Sequence, residues 1–223
     1  MTPLIPKQTK NDKGDPTRAG LLLALGITLA VLIIPWIPEA ATTLQWQRGE
    51  SALVRLLGGI TSHLTHWSWD HLIWDLAAFV TLSFASLRLL PERYPLCLLL
   101  AAVIIPMEIG LCQLSLETYR GLSGIDSALF GLILVGLWRS PTGSTMSRLI
   151  AIGGGALFVI KSIYELMTLD TLFISNSTHD FVPAVSAHLT GMLCGLLAGK
   201  VPWQFTGHHP EDRRPDLVSR GEA

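Results

Sequence analysis

The sequence predicts an all-α membrane protein built as a bundle of six transmembrane helices, with both termini in the cytoplasm. Of its 223 residues, 49% are hydrophobic and only 15% are charged, and the mean hydropathy is +0.45. A soluble domain of this length would carry more charge. The formal net charge of −1, without a basic stripe, argues against a nucleic-acid-binding surface.

Six apolar stretches, each near the ~20 residues that cross a bilayer, give the number of spans. A polar cytoplasmic segment, residues 1–18, precedes a membrane domain over residues 19–200, and a polar cytoplasmic tail occupies residues 201–223. The predicted spans are residues 19–37, 71–90, 94–115, 123–138, 148–167 and 183–200. The fourth is short, which indicates that its first turn does not contact lipid. The first could instead be a cleavable signal peptide.

The distribution of positive charge predicts the orientation. With the N-terminus in the cytoplasm, twelve of the 16 Lys and Arg residues lie on the cytoplasmic side, three on the outer side and Lys161 inside a span. This bias satisfies the positive-inside rule. We therefore expect a multi-pass protein of the cell inner (plasma) membrane. Its outer loop, about residues 39–69, contains Trp46, Trp67 and Trp69, which with Trp74 are typical of an interfacial belt.

Polar side chains within the spans are expected to meet near the outer end of the bundle, because burying them in lipid is costly. His71 and Asp75 lie four residues apart near the outer end of the second span, and Ser123 opens the fourth. His188 lies about five residues into the sixth span, roughly 5–8 Å below the outer boundary at ~1.5 Å per residue. This common depth predicts that serine and histidine meet there.

A serine beside a histidine indicates nucleophilic catalysis, because the imidazole can take the hydroxyl proton. Gly121 and Gly124 flank Ser123 and would let a substrate backbone approach, while the helix start directs N–H groups at a developing oxyanion. Small residues recur every fourth position in the fourth and sixth spans, which predicts their close approach. These residues are Ser123, Ser127 and Gly131, and Ala187, Gly191, Gly195 and Gly199.

Three elements resemble the motifs of the rhomboid family of intramembrane serine proteases, over roughly residues 45 to 200. They are HWSWDHLIWD (66–75), GLSG (121–124) and AHLTG (187–191). The family pattern is H-x4-H-x3-N, G-x-S-G and A-H-x2-G, each at the entrance of a span, in this order. The match is closer to the rhombosortase branch. Three segments resemble the signatures of that branch: YRGLSG (119–124), KSIYE (161–165) and VPAVSAHLTG (182–191).

The resemblance implies a Ser–His dyad with Ser123 as nucleophile and His188 as base, on the outer (periplasmic) side of the membrane. It also implies that the Ser123 N–H, His71 and the residue at Asp75 line the oxyanion hole. The implied partners are membrane-anchored protein substrates, including exported proteins with a C-terminal Gly-Gly sorting tail, and the lipid bilayer. No metal and no cofactor is implied.

Two residues depart from the family pattern. The family usually has Asn at the position of Asp75, and the rhombosortase branch often has an apolar residue at the position of Asp126. An ionised Asp75 would repel an oxyanion, whereas a protonated one could donate a hydrogen bond; it could also orient His71. Asp126 could stabilise the start of its helix through the dipole or contact the outer loop.

Other functions remain open at this stage. Lys161 and Glu165 are four residues apart and predict an ion pair within one helix, although Lys161 could also serve a Ser–Lys dyad. The group His63, His66, Asp70 and His71 could suggest a metal, but lacks a ligand pair on one helix face in the HExxH manner. A rhomboid-like protein that binds membrane clients without cutting them is the main alternative. A small transporter is another, although the spans show no internal repeat.

Overall fold

The computed structural model describes residues 15–140, 144–168 and 185–201, which form a mostly helical protein. Its helices are α1 (Pro16–Ile33), α2 (Ala40–Leu44), α3 (Ala52–Thr61), α4 (Trp69–Leu89), α5 (Tyr94–Cys112), α6 (Ser123–Trp138), α7 (Thr145–Thr168) and α8 (Val185–Lys200). Short 3₁₀ turns occupy Ile34–Trp36, Ser62–Leu64 and Pro91–Arg93. Two strands of two residues, β1 (Trp46–Gln47) and β2 (Thr118–Tyr119), complete the described elements.

Four of the described helices are long and apolar enough to cross a membrane, so the chain is an α-helical membrane protein by length and composition. They are Pro16–Trp36, Trp69–Leu89, Pro91–Cys112 and Thr145–Thr168. The other two predicted spans are also helical, but α6 and α8 are only 16 residues long. The count of six spans and the cytoplasmic termini therefore stay predictions. Nearly all of the predicted terminal segments, 1–18 and 201–223, lies outside the described residues.

Helix α6 occupies the centre of the bundle and packs against α4, α5, α7 and α8. Apolar residues are distributed around the whole circumference of α6, as expected for a helix that other helices surround. Most of the first turn is buried, since Gly124, Ile125 and Asp126 are buried and only Ser123 is partly exposed. The expectation that this turn avoids lipid is consistent with that burial.

The close approach of α6 and α8 depends on glycines, as the small-residue pattern predicted. A Cβ atom at Gly191 would overlap the carbonyl oxygen of Gly124, and one at Gly195 would overlap that of Ala128. The tight contact line on α6 therefore consists of Gly124, Ala128 and Gly131. Gly131 was predicted and faces Met192 of α8, whereas Gly124 and Ala128 lie one residue away from the predicted Ser123 and Ser127. The shift turns Ser123 and Ser127 away from the tightest contact line, toward a groove beside α4 and α7.

The segment between α1 and α4 is ordered by its contacts with the segment between α5 and α6. Strand β1 pairs antiparallel with β2, so that Trp46 lies opposite Tyr119. Trp46 is 3% exposed, so the prediction that it belongs to an interfacial belt is wrong; Trp69 and Trp74 are half exposed, as that prediction expects. A two-residue ladder has no hydrophobic period, which is why the sequence did not reveal it.

Arg48 fixes this arrangement from the end of β1. Its guanidinium donates hydrogen bonds to four backbone carbonyl oxygens, those of Ile109, Gly110, Gln113 and Leu116. These carbonyls lie at the end of α5 and just after it, where a helix leaves its last acceptors unpaired. The planar fork of arginine can serve several acceptors at once.

Candidate active site

The loop that leads into α6 is held from two sides. The Gly121 N–H donates to the carbonyl oxygen of Ser62 over 3.0 Å, and His63 Nδ1 lies 3.3 Å from the Gly121 carbonyl oxygen. Gly121 has a φ of +123°, a conformation that side chains rarely adopt. A Cβ atom there would lie 3.0 Å from His71 Nε2. Glycine is therefore needed at this position for both conformation and space.

His63 is a buried support of this loop. Burial lowers the pKa of His63 to about 4, against an ordinary value of 6.5, because the charged imidazolium would lose its water. The ring therefore stays neutral near pH 7 and can donate its Nδ1 proton to Gly121. The sequence raised this histidine only as a metal-ligand candidate. Within the described ranges, no group of three or more His, Cys, Asp or Glu has the geometry of a metal site.

Ser123 and His188 meet at the start of α6 and the second turn of α8. Ser123 Oγ lies 3.0 Å from His188 Nε2, within hydrogen-bond distance. Ser123 is partly exposed, whereas His188 is buried. The serine hydroxyl can therefore donate to a neutral imidazole that carries its proton on Nδ1. This is the geometry that a base needs to take the proton of a nucleophile.

Glu165 lies on the opposite side of the same imidazole. Its Oε2 is 3.3 Å from His188 Nδ1, and both of its oxygens lie 2.7 Å from Lys161 Nζ. The Lys161–Glu165 ion pair on α7 is the one that the spacing predicted. The contact with His188 was missed, although the depth argument could have found it. In the predicted topology the fifth span runs toward the outer side, which would put Glu165 near the depth of His188.

Asp75 lies at the N-terminus of α6 and accepts hydrogen bonds there. Its Oδ2 is 3.1 Å from the Ser123 nitrogen and 3.0 Å from the Leu122 nitrogen, and both of these N–H groups donate to it. The same oxygen is 3.1 Å from His71 Nε2 and 3.3 Å from His66 Nε2. In the implied oxyanion hole the Ser123 N–H donates to the substrate, whereas here it donates to Asp75. The contact with His71 Nε2 fits the alternative in which Asp75 orients His71. A carboxylate is favoured here because a helix N-terminus is positively polarised.

His71 and His66 surround this carboxylate from one side. His71 lies in the first turn of α4. Ser68 caps this helix, because its Oγ accepts a hydrogen bond from the His71 N–H over 3.1 Å. The two imidazole rings meet edge to face, with centroids 5.1 Å apart. Burial lowers the pKa of His66 below its ordinary value, although the contact with Asp75 opposes the shift. Both histidines contact Asp75, whereas the imidazole at Ser123 Oγ is that of His188.

The predicted support residues differ in what they do. Gly121 lies against His71 and Asp75, as described, and so borders the site. Gly124 serves the packing of α6, since a Cβ atom there would lie 2.8 Å from Ile105 Cδ1 and 3.4 Å from the Ala187 oxygen. Asp126 is buried one turn into α6, and its Oδ1 has no hydrogen-bond partner among the described residues.

An apolar groove of about 560 Å³ opens beside the serine. Residues of α4, α6 and α7 form its walls, and Trp74, Ala78, Phe130 and Phe158 supply much of its apolar surface. Ser123, His188 and Glu165 lie on its lining together with Asp75 and Asp126. The groove can therefore hold an extended or helical apolar segment against the Ser–His pair.

No family model and no curated protein matches the chain. A serine hydroxyl, an imidazole and an apolar groove lie together at one end of the bundle, beside the start of α6. This combination can perform acyl transfer on an apolar or membrane-embedded substrate.

Proposed function

We propose that the chain is an intramembrane serine endopeptidase of the rhomboid type, closest to the rhombosortase branch. The observation that carries the proposal is the 3.0 Å contact between Ser123 Oγ and His188 Nε2. The two atoms come from neighbouring helices whose glycines permit close packing. A contact of this kind between a serine and a histidine beside a groove is the core requirement of serine-type hydrolysis.

The substrate in this proposal is a membrane-anchored protein. The apolar walls of the groove favour a transmembrane or C-terminal anchor segment over a soluble peptide. The resemblance to rhombosortases points to exported proteins with a C-terminal Gly-Gly sorting tail. The excess of Lys and Arg in the predicted cytoplasmic segments supports insertion in the inner membrane with the Ser–His pair toward the periplasmic face.

A second candidate function is that of a catalytically impaired protein that binds membrane clients. The observation that favours it is the contact of Asp75 Oδ2 with the Ser123 N–H. During catalysis that N–H would have to donate to the oxyanion, but in the structure it donates to the Asp75 carboxylate. A groove without an available oxyanion donor could still bind an apolar segment.

Covalent labelling of the serine separates the two functions. The full-length protein in detergent micelles is incubated with a fluorophosphonate probe, which reacts with activated serines. We expect labelling of wild type, loss of labelling in Ser123→Ala and strongly reduced labelling in His188→Ala. Ser162→Ala is the matched control, because within the described part of the chain this buried serine donates to the Phe158 carbonyl oxygen of its own helix. A folded wild type that is not labelled would favour the binding protein.

Cleavage of a membrane reporter tests the substrate class. The reporter carries a folded domain followed by Gly-Gly, an apolar helix and a basic end, and it is co-reconstituted with the protein in liposomes. We expect a shortened product with wild type and none with Ser123→Ala. A reporter in which a soluble linker replaces the apolar helix should remain intact. Equal cleavage of both reporters would contradict the proposed role of the groove.

A further inference from the structure

Helix α7 contributes a carboxylate to the Ser–His pair. We propose that Glu165 is a positioning residue that extends the pair to a Ser123–His188–Glu165 triad, with Lys161 holding the carboxylate in place. The proposal rests on the proposed function and deepens it, because a dyad alone was implied by the resemblance. Its geometric basis is a continuous chain of contacts, at 3.0 Å from serine to histidine and 3.3 Å from histidine to Glu165.

The carboxylate has a defined role in the proton transfers. When Ser123 Oγ bonds to the scissile carbonyl carbon, its proton passes to His188 Nε2 and the carbonyl π electrons move to oxygen. His188 then carries a positive charge, which the ionised Glu165 offsets across the Nδ1–H contact. As the tetrahedral intermediate collapses, the C–N bond breaks and the Nε2 proton passes to the leaving nitrogen. Water then gives a proton to His188 Nε2 while its oxygen attacks the acyl carbon. As this second intermediate collapses, the bond from that carbon to Ser123 Oγ breaks and the Nε2 proton returns to Oγ.

Glu165 is held firmly enough for this role. The residue is 1% exposed, and a buried carboxylate needs partners to offset its lost hydration. Lys161, one turn earlier on α7, supplies two contacts of 2.7 Å, and His188 supplies the third. The charge of Lys161 keeps Glu165 ionised, so its oxygen accepts from His188 Nδ1 and fixes the tautomer in which Nε2 faces the serine.

The same contacts assign Lys161 a supporting role. Its ammonium group engages both oxygens of Glu165 and is not the group at Ser123 Oγ, which is His188 Nε2. Lys161 is therefore the holder of the carboxylate, in contrast to the Ser–Lys alternative. Helix α7 thus becomes part of the proposed active site through the Lys161–Glu165 ion pair. Glu165 reaches Ser123 through His188.

The test compares labelling rates of full-length variants with the fluorophosphonate probe between pH 5 and 10. Glu165→Gln keeps the shape but removes the charge, so we expect the rate near pH 7.5 to fall by about 10²–10⁴-fold. The pH midpoint of labelling should also change, because the substitution removes the negative charge that faces His188 Nδ1. Glu165→Asp keeps the charge and should recover part of the rate and the midpoint.

A matched control removes a carboxylate elsewhere in the membrane domain. Glu108 lies half-buried on α5, where its side chain contacts Gln113. Glu108→Gln should therefore leave the labelling rate and its pH midpoint unchanged. Lys161→Met should lower the rate less than Glu165→Gln does, since the carboxylate stays but is held by fewer contacts.

The outcomes distinguish the triad from the proposed function. If wild type is labelled and Glu165→Gln matches it in rate and pH midpoint, the triad is refuted and the Ser–His dyad stands. If Glu165→Gln does not fold, the buried ion pair is replaced as a whole by Lys161→Met with Glu165→Leu, and a wild-type rate and midpoint in this variant would refute the triad in the same way. If folded wild type is not labelled at any pH, both proposals fail.

Discussion

Replacing Asp75 with asparagine is expected to increase the reactivity of Ser123. In the structure, Asp75 Oδ2 lies 3.1 Å from the Ser123 nitrogen. An oxyanion stabilised by the same N–H must come within ~2.7–3.1 Å of that nitrogen. The two oxygens therefore compete for one donor, and during the reaction both carry negative charge. Asparagine removes the charge and adds an N–H₂ donor.

The size of the effect follows from the repulsion. Two unit charges ~4 Å apart repel each other by about 4 kcal/mol at an effective dielectric constant near 20. His66 and His71 contact the same oxygen and offset part of its charge, so we take about half of this value. About 2 kcal/mol corresponds to a rate increase of about 30-fold at 1.36 kcal/mol per tenfold.

The same substitution should cost stability. Asp75 binds two N–H groups at the start of α6 and two imidazoles, and a neutral amide cannot replace all of these contacts. A charged hydrogen-bonded group of this kind contributes about 1.5–3 kcal/mol. At ~2–4 °C per kcal/mol for a chain of this length, the melting temperature should fall by about 3–12 °C. Activity and stability should therefore change in opposite directions.

The assay is the fluorophosphonate labelling rate, with melting in the same detergent. Asp70→Asn is the matched control, because Asp70 lies on the same helix but is exposed, and it should behave as wild type. If Asp75→Asn labels no faster than wild type while it remains folded, the carboxylate does not obstruct the oxyanion. Asp75 would then act only as a cap of α6 and a partner of the two histidines.

Three further predictions concern packing, loop anchoring and pH. Gly195→Val should force α6 and α8 apart, which should destabilise the fold by about 1–3 kcal/mol and lower the labelling rate at least tenfold. In the control Gly153→Val the new Cβ points into open space, so the labelling rate should not change. A normal labelling rate in Gly195→Val would contradict the packing argument. Arg48→Lys loses the fork that serves four carbonyls, so the melting temperature should drop by about 4–8 °C, and an unchanged value would contradict this. His63 has a folded pKa of about 4, below its ordinary 6.5, so the unfolded state takes up the proton first. Stability should therefore be complete above pH 6.5 and fall by up to about 3 kcal/mol toward pH 4, less so in His63→Asn, and a pH-independent melting temperature in wild type would refute this.

Hydropathy was sufficient to predict the helices that form the bundle. All six apolar stretches contain a helix, because in lipid only a helix satisfies its own backbone. The ends of the helices were less predictable: α1 ends at Ile33, four residues before the predicted end of its span, at a 3₁₀ turn that includes a proline. The pairing of β1 with β2 was not predictable, because two residues carry no periodicity.

The meeting of Ser123 and His188 was predictable for a reason of geometry. Helices that enter a bundle from the same side bring residues at the same distance from their entrances to the same depth. The rule does not distinguish which side of a helix a residue faces, and this explains the shift of the α6 stripe to Gly124 and Ala128. It also applies to helices that run in the opposite direction, so it could have included Glu165 at the end of α7.

The start of α6 explains why Asp75 was harder to interpret than the serine. The N–H groups of Leu122 and Ser123 form one positively polarised site, and it can bind either a carboxylate of the protein or an oxyanion of the substrate. The sequence showed both the helix start and the carboxylate, but not that they touch. Since Asp75 accepts from both of these donors, the proposed catalysis requires its oxygen to yield the Ser123 N–H. Asp75 would then keep its contacts with His71 and His66. These two contacts therefore determine how easily the carboxylate leaves the Ser123 N–H.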